Sequence, residues 1–426
     1  MASTRPTSLV AQELRKFCLD AGADDVGFVE IGRAELDDQR DDILKFFPAT
    51  KTLISIVCRM NREPVRNVNR SAANLEFHST TDHVNEVSRR IVTELERRGL
   101  RAINPSAGFP MEMTSFPGRI WVVSHKPVAV AAGLGRIGIH RNVIHPKFGN
   151  FILLGTVLVD TEVSEQSIPI DYNPCLECRL CVAACPVGAI SNDGGFNFLS
   201  CYTHNYREFM GGFTDWVETI ADSSSAKDYR HEVTDSESAS MWQSLAFGPN
   251  YKAAYCLSVC PAGEDVIAPF LTHRSEFVDT MLRPLQQKVE TIYVQPNTDA
   301  EEYVVRRFPH KQIKRVGDTL RPNSVDSFLK GMHIVFQAGQ SKGLHATYHF
   351  RFTGAEPAEC TVTICDQSIE VRQGFVGTCD LRVTADSRCW VRFLRKEVRI
   401  VWLLLTLRVR LRGDPRLLVK FGKCFP

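Results

Sequence analysis

Apolar and polar positions follow three different patterns along the chain. Over the first 165 residues, helical and extended stretches take turns. Leu9 to Ala21 repeats its apolar residues at helical spacing and leads into the extended Asp25 to Val29. Ala34 to Phe46 then leads, through Pro48, into the apolar run Thr52 to Cys58. A longer helix is expected from about Asp82 to Arg98, with Val84, Val87, Ile91, Val92 and Leu95 on one face and Gly99 as its stop. An extended Ile120 to Ser124, a glycine-rich turn at Gly133 to Gly138 and a second apolar run, Phe151 to Val159, complete what reads as a set of α/β units.

The second pattern is rich in cysteine and runs from Cys175 to Ala262. A polar, Ser-rich stretch at Asp222 to Ser240 interrupts it and is expected to be a surface insertion. Beyond about residue 300 the apolar residues alternate with polar ones: Tyr348, Phe350 and Phe352, then Val362 and Ile364, Ile369 and Val371, and Leu381 and Val383. That period is the mark of strands with one buried face. Two C-terminal helices should follow, the second capped by Asp414 with Pro415 at its first position. No fixed-period repeat is present. The chain therefore divides into an α/β domain over 1–165, a cysteine domain over 166–290 and an α+β domain over 315–426.

Composition narrows this little. A chain of 426 residues exceeds one ordinary core, and 44% apolar with 23% charged residues is the make-up of a soluble globular protein. The net charge of +2 singles out no partner. Its C-terminal end is more biased, since Arg388 to Pro426 holds eleven Lys and Arg against Glu397 and Asp414. A solvated face is the default reading there, with anionic lipid or nucleic acid as the sharper ones. The first residues show neither an apolar signal core nor a twin-arginine pair, and the run Ile400 to Leu405 falls far below the about 18 residues of a spanning helix. A cytoplasmic protein without a transmembrane segment is expected.

Seven of the fourteen cysteines lie between positions 175 and 260, and without an export signal, metal ligation is a better reading than disulfides. Cys175, Cys178, Cys181 and Cys185, followed by Pro186, form the C-x2-C-x2-C-x3-C-P run in which three thiolates hold one 4Fe-4S cluster and the fourth reaches across to another. Cys256 and Cys260, followed by Pro261, supply the partner half. Pseudo-twofold logic assigns Cys175, Cys178, Cys181 and Cys260 to cluster one, and Cys185 and Cys256 to cluster two. Cys201 is expected as the third ligand of cluster two, because Ala253 stands where a complete second motif would have cysteine. That cluster would be 3Fe-4S or take a non-cysteine ligand. Zinc, which favours four ligands in paired spacings, fits this order less well.

Gly133, Gly135 and Gly138 match the dinucleotide fingerprint, with Asp160 downstream. The residues that follow, 139–150, contain Pro146 and Gly149 and make a poor helix, which counts against nicotinamide. A backbone approaching a flat or bulky ligand explains the glycines as well. Several polar side chains are candidates for chemistry. His83, beside Asp82, is a possible proton donor with a solvated surface role as the simpler reading. His125 and Lys126 precede the glycine turn, and His140 and Arg141 follow it, placed to contact a cofactor's polar groups. Tyr202, His204 and Tyr206 follow Cys201 and could donate a proton or replace the absent thiolate; local packing explains them equally well.

The segment Val128 to Gly138, followed by Gly155 to Asp160 and the double cysteine motif, resembles the epoxyqueuosine reductase and reductive dehalogenase superfamily over roughly residues 8 to 285. The resemblance implies a nitroreductase-like α/β domain beside a two-cluster ferredoxin-like domain. It also implies cobalamin between them, with Gly133, Gly135 and Gly138 in the cobalamin pocket and one cluster feeding the cobalt. The family's catalytic aspartate is absent: its offset falls on Arg119. Tyr348 to Gly354, Leu381 to Asp386 and Arg410 to Leu418 are similar to the sterol carrier protein type 2 fold, which implies a lipid-sized tunnel in a sterol-carrier-like α+β domain. Taken together, the expectation is a cobalamin-dependent reductase of a carbon-heteroatom bond in a small or lipid-like substrate. It would be served by an external donor such as ferredoxin or flavodoxin, with His125, Tyr202 or His83 supplying the proton. The alternatives are a corrinoid-free electron-transfer protein and a carrier of hydrophobic ligands.

Overall fold

The computed structural model describes residues 6–116, 118, 120–175, 177–317 and 320–426. The chain forms two compact units. The first comprises Met1–Cys185, Ile190–Phe196 and Ala254–Lys288, and the second Pro186–Ala189, Asn197–Ala253 and Val289–Pro426.

The first unit is built on a four-stranded sheet of β1 (Asp25–Glu30), β2 (Thr52–Arg59), β3 (Ala102–Ile103) and β4 (Ile152–Val159), in the order β1-β2-β4-β3 and antiparallel throughout. Strand β2 is buried from Thr52 to Cys58 and mostly apolar, with Ser55 as its one interior polar residue, because both faces of the sheet are covered. Ile54, Ile56 and Cys58 pack in one core with Leu14 of α1 (Ala11–Asp20) and with Val84, Val87 and Ile91 of α2 (Arg70–Arg97). Leu53 and Val57 pack in the other, with Val128 and Ala131 of α3 (His125–Ala131). Gly155 lets α2 lie directly on β4: a Cβ there would come within 2.8 Å of Val84 Cγ1 and 2.9 Å of Ser88 Oγ.

Two expectations change in this unit. Helix α2 starts at Arg70, twelve residues before the expected Asp82. Its first half buries Asn74, Glu76 and Thr80 beside Ala73 and Phe77, so polar residues hide the helical stripe. Glu76 is satisfied there, accepting from Asn61 N at 2.7 Å and Thr80 Oγ1 at 3.1 Å. Ile120 to Ser124 is not a strand. The Gln39 side chain takes its place as partner, accepting from Ser124 N at 2.9 Å and donating to Ser124 O at 3.4 Å.

The second unit holds a five-stranded sheet of β5 (His345–Thr353), β6 (Ala358–Cys365), β7 (Ser368–Gln373), β8 (Leu381–Asp386) and β9 (Val409–Gly413), in the order β7-β6-β5-β8-β9. Only the β5–β8 pair in this sheet is parallel. The alternating residues expected from the sequence face one core, where Tyr348, Phe350 and Phe352 meet Phe328, Trp390 and Phe421. Three helices follow β8, not two: Ser387–Leu394, Ile400–Leu405 and Arg416–Lys423. Asp414 Oδ1 accepts from Arg416 N at 2.9 Å, while Pro415 occupies the N-cap position itself. The polar stretch 222–240 is helical over Ala226–Glu232 and from Asp235 onward. Its Ser, Thr and Glu residues, which read as loop, are caps: Ser225 accepts from Asp228 N, and Thr234 and Glu237 form a capping box. Among the described residues no helix is long and apolar enough to cross a membrane.

Candidate metal centre

Two short helices position the cysteines of the first unit, and they are built alike. Leu180–Ala184 is opened by Arg179 at φ 54°, and Tyr255–Ser258 by Ala254 at φ 54°. From each left-handed residue a cysteine follows at the second position and another at the sixth, then a proline: Cys181, Cys185 and Pro186 in one, Cys256, Cys260 and Pro261 in the other. The helices pack on each other. A left-handed non-glycine residue costs of order 1–3 kcal/mol and persists only where its surroundings demand it. Glu177, at φ 53°, adds a third such residue inside the first motif.

Cys175, Cys178, Cys181 and Cys260 line one cavity. Cys256 and Cys185 influence each other's charge and so lie close together. Burial pushes the Cys256 thiol up to about 12, with the Cys185 thiolate adding to the rise. Burial likewise takes Cys260 up to about 12, and Cys181, ringed by four other thiols, is pushed up further. Taking up iron must therefore release protons, because the thiolate is the ligand. Among the described residues no three His, Cys, Asp or Glu side chains converge on a point fit for a single metal ion. A cubane sets a separate iron atom before each thiolate, so it asks for a cage, and the four sulfurs around one cavity fit that demand.

The cage is tied to the helix Arg62–Arg66 and to the loop that leads into β4. Ser258 Oγ donates to Val65 O at 2.7 Å, Asn150 Nδ2 to Leu257 O at 3.3 Å, Glu264 N to Pro146 O at 2.8 Å and Asp265 N to Lys147 O at 3.0 Å. Cationic groups stand near the thiols. Lys126 lowers the Cys256 pKa, against the larger effect of burial. The half-buried Arg66, pushed down by its own burial, is held up in part by the Cys260 thiolate.

The glycine turn leads into a hairpin of Arg136–Ile137 and Val143–Ile144, and no helix opens after it. Asp160, the acid expected of a dinucleotide fingerprint, accepts from Arg101 N and Thr161 Oγ1. The glycines are filled by the chain itself. A Cβ on Gly133 would stand 2.5 Å from Ile168 O, and one on Gly135 would fall inside contact distance of Ile144 O and 2.9 Å from Val143 Cγ1. One on Gly138 would meet Ile144 Cδ1 at 2.7 Å and His140 Cε1 at 3.4 Å. These contacts account for the three glycines without a broad ring beside them, so they give cobalamin no cradle.

His140 follows the turn and lines the cysteine cavity, and Ile139 N donates to Cys175 Sγ at 3.4 Å. Burial and then Lys126 push the His140 pKa down to about 4, so the ring is neutral near pH 7. Arg141 is exposed at φ 63°, and its carbonyl accepts from Lys126 Nζ at 2.8 Å.

The three proton-donor candidates lie on separate elements. His83 is an exposed residue of α2 with Nε2 at 3.2 Å from Gly22 O. His125 is buried, and both its nitrogens are engaged: Nε2 donates to Ser106 O at 2.9 Å, which leaves Nδ1 to accept from Thr156 Oγ1 at 2.9 Å. Burial also lowers its pKa, which disfavours the charged ring, and the proton of the neutral ring is held in the bond to Ser106 O. Tyr202, in the second unit, is buried and accepts from Gly211 N at 2.8 Å through its hydroxyl. In that unit His204 Nδ1 accepts from Tyr293 N at 3.3 Å, Tyr206 stacks on Tyr202, and Cys201 is half-buried on the helix Phe198–Asn205. Arg119, at the offset of the family's aspartate, lies outside the described residues.

Comparison with known proteins bears on the same region. A 4Fe-4S binding domain matches residues 168–191. The epoxyqueuosine reductase of Staphylococcus aureus is 36% identical over 80 residues, 19% of this chain and 20% of that protein. That of Cyclobacterium marinum is 26% identical over 192 residues, 42% of this chain and 58% of that protein. The chain thus spans from a fifth to under three fifths of the length of these relatives. Among solved structures, an epoxyqueuosine reductase with an epoxyqueuosine-modified tRNA stem loop aligns with a TM-score of 0.34 at 18% identity, covering 46% of this chain and 60% of that one. A reductive dehalogenase described as B12-dependent aligns at 0.42 and 14% identity, covering 66% and 37%. Over the matched stretches this chain is similar to epoxyqueuosine reductases, and its residues 168–191 match a 4Fe-4S binding domain.

Proposed function

We propose that this chain is an iron-sulfur oxidoreductase of the epoxyqueuosine reductase type, receiving electrons from a ferredoxin or flavodoxin and passing them through two clusters to a carbon-heteroatom bond. The observation that carries this reading is the repeated unit of left-handed residue, cysteine, cysteine and proline, which brings Cys181 and Cys260 to the cavity that Cys175 and Cys178 also line and sets Cys185 beside Cys256. Cys175, Cys178, Cys181 and Cys260 hold the first cluster. Cys185 and Cys256 hold the second, to which the sequence also assigns Cys201. When bound, the clusters supply one-electron transfer. The chain's part is to supply the thiolates, keep water from the cavity and offset negative charge with Lys126 and Arg66.

The relatives' name points to an epoxide as the bond reduced. They give no support to the small or lipid-like substrate expected from the sequence. Cobalamin belongs to this proposal only through the family resemblance, since the chain's own packing takes up Gly133, Gly135 and Gly138. That packing also favours the second reading, a corrinoid-free electron-transfer protein. The three-domain division is part of the same proposal, and the separate core under the five-stranded sheet supports 315–426 as a domain of its own, while its sterol-carrier-like, hydrophobic-ligand role rests on the resemblance alone.

The test is anaerobic reconstitution with iron, sulfide and cobalamin, followed by desalting. Iron in both clusters, with epoxide reduction by chemically reduced protein, supports the reductase. Full clusters with neither cobalamin retention nor turnover leave the electron-transfer protein.

A further inference from the structure

We infer that the His140 side chain donates a hydrogen bond from Nε2 to a sulfur of cluster one and so sets that cluster's reduction potential. The inference rests on the proposed ligation of this cluster by Cys175, Cys178, Cys181 and Cys260. The tautomer of His140 follows from its surroundings. Asn142 N–H donates to His140 Nδ1 at 3.2 Å, so Nδ1 is the acceptor and the proton of the neutral ring sits on Nε2. That Nε2 is buried and has no hydrogen-bond partner among the described residues. The ring as a whole is only 4% exposed.

A buried donor without an acceptor costs about 1–3 kcal/mol, so such a group ordinarily has a partner. The cavity the ring lines offers few. Besides the four cysteines its lining is mostly apolar, as at Ile144 and Pro261, and its two charged residues, Glu177 and Arg179, are exposed to solvent, so the cysteine sulfurs are the buried acceptors it offers. Cluster sulfides and ligating thiolates are acceptors carrying negative charge. A hydrogen bond to them is stronger in the reduced, more negative state, so it raises the potential.

The local structure holds the ring in place. Lys126 Nζ donates to Arg141 O and to Asn142 Oδ1, both at 2.8 Å, which fixes the backbone that orients Asn142 N. Gly138 leaves room beside His140 Cε1. Ile139 N already donates to Cys175 Sγ at 3.4 Å, so this stretch would deliver two N–H groups to one cluster. His140 is thus a positioning and tuning residue of the cluster rather than a contact to a corrinoid's polar groups.

The test compares wild-type protein, His140→Phe and His140→Gln, each reconstituted anaerobically, by iron content, redox titration followed by EPR, and pulsed EPR on protein with 15N-histidine. Expected are equal iron, a lower midpoint potential for one cluster in His140→Phe, recovery of part of that shift in His140→Gln, and a 15N coupling in wild type that His140→Phe loses. In a Cys178→Ser background, which lacks cluster one, His140→Phe should leave the remaining cluster's potential unchanged. If His140→Phe fails to hold iron, the 15N coupling in wild type decides. An unshifted potential with full iron, or no histidine coupling in wild type, overturns the inference. Wild-type protein that binds no cluster overturns instead the proposed function beneath it.

Discussion

Replacing Gly135 by Val separates two explanations of the glycine turn. If the turn exists to accept a broad ring, Gly135→Val should expel cobalamin and spare the clusters. The structure predicts otherwise. The first atom of the new side chain would fall inside contact distance of Ile144 O, 2.9 Å from Val143 Cγ1 and 3.0 Å from Ile144 C. Two of those three atoms are backbone and belong to the strand that closes the hairpin, so the strand must move. Overpacking of this kind costs about 1–3 kcal/mol, and the further methyls of valine place the change at the upper end. For a unit of this size, each kcal/mol lowers Tm by about 2–4 °C, so a fall of roughly 4–12 °C is expected in the unfolding of the cluster-free protein. Because Ile144 and His140 line the cysteine cavity, iron retained after desalting should fall as well. Thermal melting followed by circular dichroism and an iron assay read both quantities. A Tm within a degree or two of wild type, with iron intact and cobalamin alone lost, would refute the packing argument.

Two further predictions concern the second unit. Burial alone would raise the Glu237 pKa, but bonds from Lys314, Thr234 N–H and the Tyr293 hydroxyl bring it down to about 2 from an ordinary 4.5. Its stabilisation, at most about 3 kcal/mol, is therefore full above pH 4.5 and lost as pH falls toward 2. Denaturant titrations from pH 6 to 3 should show Glu237→Gln to be less stable than wild type at the upper end and converging on it at the lower. Phe350 is fully buried among Phe328, Trp390 and Phe421, so Phe350→Ala should cost about 3–5 kcal/mol in urea unfolding of this unit. A cost under 1 kcal/mol would mean that the aromatic core is loosely packed.

What was legible in the sequence is what local spacing dictates. The cysteine motif fixes its own geometry through short gaps, and strands β5 to β8 show their buried faces at period two because only one side is covered. The first half of α2 is hidden in the sequence because Asn74, Glu76 and Thr80 stand at buried positions, with Glu76 satisfied by Asn61, a partner that folding brings there. The stretch 120–124 reads as a strand because it is an apolar run, yet only Ile120 and Val123 of it are buried, Trp121 is exposed, and a side chain, Gln39, bonds Ser124 where a neighbouring strand would. The glycines marked a close approach correctly, but not what approaches: Ile168 and Ile144 of the same chain. His140 could be singled out only as a neighbour of that turn. Its orphaned Nε2, the feature that gives it a role, exists only in three dimensions.

Iron and zinc content, with EPR, after anaerobic reconstitution tests the central claim most directly. Two clusters predict about seven to eight iron atoms per chain, with seven if the second is 3Fe-4S, and Cys178→Ser should remove one cluster's signal and leave the other. One or two equivalents of zinc with little iron would contradict the account.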